Sequence, residues 1–302
     1  MTLPYIPRLF ALGLASYFLI HLALGLMVAS VARPAILLGE RIRPGRAARL
    51  MLALRLVPAA GAASIVALVC LPSYLWLEPD APKERVGVTC LAAAVAGALM
   101  WGFSLARGLR AAIDSHRTLR RCPPLMALGG LFRPQLIVSR AVARALAPEQ
   151  MAAALDHERA HWAAHDNLKR LSIALAPGIL PFAASSRTLE RGWSRFAEWA
   201  ADDCAVAGSP QRSLALAEAL VRVARLSACA SQPFLAHLVG DPGELAARVE
   251  RLLCPVQPIG RETRWPSLMV LSITLLIAAI LAAILQPVTF YSVHRLLEHL
   301  VE

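Results

Sequence analysis

Four stretches of about 20 residues carry no Asp, Glu, Lys or Arg: Leu9 to Val31, Leu56 to Leu77, Val86 to Ala106 and Pro266 to Leu285. About 20 apolar residues in helix reach across the roughly 30 Å hydrocarbon core of a bilayer. A helix also satisfies its own backbone polar groups, which an open strand cannot do in lipid. The chain is therefore expected to be a mainly α membrane protein with four transmembrane helices. Composition agrees, because only 17% of residues are charged and 57% are hydrophobic, against about 25% charged in soluble domains. The first stretch is too long for a removed signal peptide and lacks its small-residue cleavage site, so it is expected to stay as an anchor.

Orientation follows from the flanks. The loop after the first stretch holds Arg33, Arg41, Arg43, Arg46 and Arg49 against Glu40 alone. The next loop, residues 78–85, has three acids against Lys83 and Arg85. After the third stretch come Arg107, Arg110, Arg117, Arg120 and Arg121, and Arg261 and Arg264 precede the fourth. Basic loops stay in the cytoplasm, so residues 107–265 are expected inside and both termini outside. The expected division is 1–106 as a three-helix membrane domain, 107–265 as a cytoplasmic domain, 266–286 as the fourth transmembrane helix and 287–302 as a short outer tail. The net charge of +11 then reflects these loops, and no direct nucleic-acid partner is expected. Six cysteines without a close pair suit a reducing compartment. Arg55, at a span end, is expected to snorkel to the interface. His21, in mid-span, is expected as a neutral histidine hydrogen-bonded between helices.

Within 107–265, residues 125–128 and 134–139 flank Gly129-Gly130 and read as a short hairpin or two edge strands. Pro148 opens a helix that should run to about 164. Further helices are expected over 189–207, 211–228 and 245–253. Leu171 to Ser186 is an uncharged run of 16 residues broken by Pro177, Gly178 and Pro181. As a straight helix it would reach only about 24 Å, and its prolines would break it. It is expected as an interfacial or buried hairpin, not a fifth span.

The chemistry concentrates in His157-Glu158-Arg159-Ala160-His161. On a helix, i and i+4 share a face, so the two imidazoles converge on one point and suit one zinc ion. Glu158 lies about 100° round, able to take a proton from a zinc-polarised water without ligating. By composition, about 0.01 such motifs arise by chance. A third ligand belongs on a neighbouring helix, and Glu198, 37 residues beyond His161, is the candidate. Asp202, one turn on, can accept a hydrogen bond from the outer nitrogen of a ligating imidazole, while Asp203 points some 100° away. His165 is expected beside the metal ligands or exposed. Arg195 is read either as an oxyanion stabiliser or as a partner of Asp202 or Glu190.

The motif, followed by His165-Asp166-Asn167 and by the Ser194–Asp202 run containing Glu198, resembles the gluzincin peptidases, and among them the BlaR/MecR-type integral membrane peptidases. The lead-in Gly130–Val138 is similar to that family as well. The resemblance implies a cytoplasmic gluzincin-like α+β zinc domain inserted between the third and fourth of four transmembrane helices, in a bacterial-type cytoplasmic (inner) membrane. It implies His157, His161 and Glu198 as metal ligands and Glu158 as the catalytic base. Asp166 and Asp202 match recurring acidic positions. The activity implied is zinc-dependent endopeptidase action on a cytoplasmic or membrane-proximal protein, either repressor cleavage or self-cleavage in signal transduction. Expected partners are that protein substrate (a cytoplasmic transcriptional repressor), the lipid bilayer, and a second copy of the chain or a separate sensor subunit. The antibiotic sensors of the family carry a large outer domain, for which the expected tail is too short, so β-lactam sensing is not carried over. Two alternatives are an HtpX- or CAAX-protease-like quality-control membrane protease, which shares HExxH and a downstream ExxxD, and a non-catalytic membrane signalling scaffold that retains the zinc fold.

Overall fold

The structure, a computed structural model, describes residues 4–77, 86–121, 126–129, 135–178, 183–229 and 242–254, with two single positions at 292 and 295. The fourth apolar stretch, the 78–85 loop and all of the expected tail but those two positions lie outside the described residues.

The membrane part consists of α1 (Tyr5–Gly39), α2 (Pro44–Ile65), a π-helical turn (Val66–Cys70), α3 (Leu71–Leu77) and α4 (Val88–Arg121). The π turn joins α2 to α3 without a break. Three rods, Tyr5–Gly39, Pro44–Trp76 and Val88–Ile113, are long and apolar enough to cross a membrane. Helix α1 packs between α2 and α4, burying Ala11, Leu12, Ala15 and Tyr17 against Ala62, Val66, Tyr74, Cys90 and Ala94. Phe10, Leu26 and Met27 of α1 and Leu99 and Phe103 of α4 face outward, as lipid contact requires. Small residues set the approach of the helices. A Cβ added at Gly97 would lie 2.6 Å from the Leu14 carbonyl oxygen, and one at Gly61 would lie 2.9 Å from Leu24 Cδ1.

The remaining described elements are strands β1 (Met126–Gly129) and β2 (Gln135–Val138) and helices α5 (Arg140–Ala145), α6 (Pro148–Ala164), α7 (Asp166–Leu175), α8 (Ala183–Val206), α9 (Pro210–Cys229) and α10 (Pro242–Leu253). The two strands pair antiparallel, with Met126 opposite Val138. Ser139 caps α5, its Oγ accepting from the Val142 N–H at 3.3 Å. Pro148 starts α6, where the Gln150 side chain accepts from the Ala147 N–H at 3.0 Å. Helices α6, α8, α9 and α10 close around Ala153, Ala205, Leu216, Ala217 and Leu252.

A second core crosses position 106. Val28, Ala32 and Ala35 of α1 and Ala47, Ala48 and Met51 of α2 pack with Ile173 of α7 and with Leu189, Trp193, Phe196 and Ala197 of α8. At the α1–α2 turn only glycine fits, since a Cβ on Gly39 would fall 2.7 Å from the Phe196 ring.

Leu171 to Ser186 does not form one helix. α7 stops at Leu175, Ala176 is extended at ψ 123 as the residue before Pro177 must be, and α8 begins at Ala183. A helix end leaves carbonyls without intrahelical donors, and here three side chains from the membrane helices supply them. Arg55 donates to the carbonyls of Ile173, Ala176 and Pro177 at 3.3, 3.0 and 3.4 Å. Arg107 donates to Ala174, Ile173 and Ala176 at 2.9, 3.2 and 2.8 Å, and Ser104 Oγ donates to Leu175. Snorkelling by Arg55 is therefore corrected: its side chain is 3% exposed and pairs with Glu190 at 2.8 Å. The helix end captured it because three carbonyls and a carboxylate offer a guanidinium more than the interface does. His21 is buried and stacked on Tyr17.

Candidate metal centre

His157 and His161 stand one turn apart on α6, and α8 packs across that face. Their rings meet edge to face at 85°, with the two Nε2 atoms 3.2 Å apart. Glu198 of α8 completes a triangle, with Oε2 3.5 Å from His157 Nε2 and Oε1 3.6 Å from His161 Nε2. These three residues are the group, among those described, whose donor atoms converge as a metal site requires. Bonds of about 2.0–2.1 Å in tetrahedral geometry put neighbouring ligand atoms about 3.3 Å apart, close to the three separations seen. Two imidazole nitrogens facing each other across 3.2 Å also need a proton or a cation between them. The donor set fits a metal ion, and zinc accepts this mixture of nitrogen and oxygen.

Both outer ring nitrogens meet carboxylates. His161 Nδ1 is 2.7 Å from Asp166 Oδ2. Asp166 reaches it because His165 adopts a left-handed conformation (φ 57, ψ 38) that ends α6 and turns α7 back; the His165 side chain is itself exposed. Lys169 holds the other Asp166 oxygen at 2.8 Å. His157 Nδ1 is 2.9 Å from Asp202 Oδ1, out of line for a linear hydrogen bond. With Nδ1 facing a carboxylate on each ring, Nε2 is left toward Glu198, the arrangement that orients ligating histidines.

Arg248 of α10 is the residue that sequence reasoning missed. Its Nε and Nη2 donate to Asp202 at 2.9 and 2.7 Å, and its Nη1 lies 3.0 Å from Glu198 Oε2. Nothing in the amphipathic run around it marks it, because its partners lie some fifty positions upstream. Arg195 does not pair with Asp202 or Glu190. It pairs with Glu40 at 2.8 Å and lies over Phe196 and Trp199, while Asp202 belongs to Arg248 and Glu190 to Arg55. Asp203 turns away to Arg251 at 2.7 Å, as its spacing dictates. Glu158 is half-buried beside His157.

Charge and burial oppose each other here. Burial pulls the His161 imidazolium down, but Asp166 and Glu198 outweigh it and raise the pKa to about 9. His157 is raised as well, its burial overcome by Asp202 and Glu198. Glu198 lies well below the usual carboxylate range, because the two histidines and Arg248 overcome the upward push of burial. A raised imidazole pKa stabilises the metal-free fold fully below the unfolded value of 6.5, and that contribution fades as pH rises toward about 9. Metal binding needs the same imidazoles neutral. Metal-free protein is therefore expected to lose thermal stability between pH 6.5 and 9 while apparent zinc affinity rises over the same interval. Parallel melting and competition titrations check this, and affinity flat with pH would contradict it.

No family model, curated protein or solved structure matches the chain, so the reading of the site stands on its own geometry.

Proposed function

We propose that the chain is an integral membrane zinc-dependent endopeptidase, of the kind the sequence resembles in the BlaR/MecR-type peptidases. The observation that carries the reading is the His157–His161–Glu198 triangle with Glu158 next to it on α6. Zinc held there supplies a Lewis acid for a peptide carbonyl and lowers the pKa of the attacking water. The Glu158 carboxylate takes the proton of that water and delivers it to the leaving amine nitrogen. Asp166 and Asp202 fix the two imidazoles, and Glu198 holds its place through Arg248. In this reading residues 266–285 form a fourth transmembrane helix, and the α+β metal domain lies in the cytoplasm of a bacterial-type inner membrane with both termini outside. The substrate is a cytoplasmic or membrane-proximal protein, a transcriptional repressor or the chain itself.

Purified protein in detergent is expected to carry about one zinc ion and to cleave an unfolded protein such as casein. Chelation should abolish cleavage and added zinc should restore it. One zinc per chain with no cleavage of casein, and none of proteins that accumulate in cells carrying Glu158→Ala, would favour the scaffold reading instead.

A further inference from the structure

The Arg248 guanidinium occupies a position that a surface ion pair does not explain. All three of its nitrogens are engaged, two on Asp202 and one on Glu198. Asp202 is 1% exposed and the Arg248 side chain 13%. Glu198 and Asp202 stand four apart on one face of α8, where like charges repel and buried charge without a partner is costly. One planar fork from α10 bridges both. Because Asp202 lies against His157 and Glu198 belongs to the triangle itself, a single cation touches two of the three ligand positions, one directly and one through a carboxylate.

We infer that Arg248 is the positioning residue of the metal centre: it fixes the Glu198 carboxylate and, through Asp202, the His157 ring in the pose that a metal needs. The inference rests on the metal reading above. Two effects compete when Arg248 is altered. Its positive charge repels a divalent ion, so removing the charge favours binding. Its fork holds the ligands, so removing the fork disfavours binding. Arg248→Lys separates them, since lysine keeps the charge but offers no rigid fork for two carboxylates.

Zinc affinity of Arg248→Lys is expected to fall about 10-fold or more, the usual scale for removing a group that orients a ligand. Competition with a chromophoric chelator on the full-length protein measures it. The visible bands of Co²⁺-loaded protein should shift in Arg248→Lys and in Arg248→Gln, reporting an altered ligand geometry whatever happens to charge. Arg251→Lys is the matched control on the same helix, because Arg251 pairs with Asp203 and lies over Trp199; it should leave affinity and spectrum unchanged. Wild-type affinity and an unshifted cobalt spectrum in both Arg248 variants would overturn the inference and leave the metal reading intact. An equal loss in Arg251→Lys would also overturn it, by showing that docking of α10 suffices. Wild-type protein that binds neither ion would overturn the metal reading itself.

Discussion

Glu158→Gln is expected to retain one metal ion per chain and to lose peptide hydrolysis by roughly 10²–10⁴-fold, the range for removing a positioned general base. The substitution is nearly isosteric, and Glu158 contributes no atom to the triangle of His157, His161 and Glu198. Binding and chemistry should therefore separate, with metal content at the wild-type level and turnover almost gone. Replacing a ligand has the opposite signature, since His161→Ala should lose metal and activity together. Cleavage by Glu158→Gln at near wild-type rate would assign the proton transfer to another group, and depleted metal would show a structural role for this carboxylate.

The second large effect is on stability. Arg55→Met is expected to destabilise the fold by about 3 kcal/mol, the lower end of the range for breaking a buried ion pair, because Glu190 keeps 29% exposure. Of the carbonyls that Arg55 serves, Ile173 and Ala176 also accept from Arg107, whereas Pro177 is held by Arg55. A single substitution thus leaves Ile173 and Ala176 one donor each. Combining it with Arg107→Met removes both, so the double variant should cost more than the two single losses added together. Equilibrium unfolding in mixed micelles, followed by tryptophan fluorescence, checks both claims. A loss under 1 kcal/mol with strict additivity would mean that the end of α7 does not depend on these guanidiniums.

What could be read from the sequence was whatever local rules determine. Pro148 and the spacing of His157 and His161 fix a helix and its face, and α6 runs over Pro148–Ala164. Pro177 forbids a continuous helix through residues 171–186 wherever that segment sits. Glu198 and Asp202 share a face because they are four apart on α8, and Asp203 diverges for the same reason. The rest depended on partners remote in the chain. Arg55 reads as a snorkelling residue until the carbonyl end of α7 arrives 118 or more positions later, and Arg248 reads as one charge on an amphipathic helix until α10 folds over α8. Arg195 is available to Asp202 by spacing, since both lie on α8, but its side chain pairs with Glu40 instead. Charged residues keep their options open in sequence, and tertiary packing assigns them.

The core that runs across position 106 has a mechanical consequence. Helix α1 has 35 residues and is about 52 Å long, some 20 Å more than a bilayer core needs. Its surplus, with the first turns of α2, is built into the packing of α8, the helix that carries Glu198. The carboxylate of the candidate metal site is thereby tied, through direct side-chain packing, to two of the helices that are long and apolar enough to cross a membrane. For a peptidase of the kind proposed, such a mount implies that a peptide bond is selected by its distance from the bilayer.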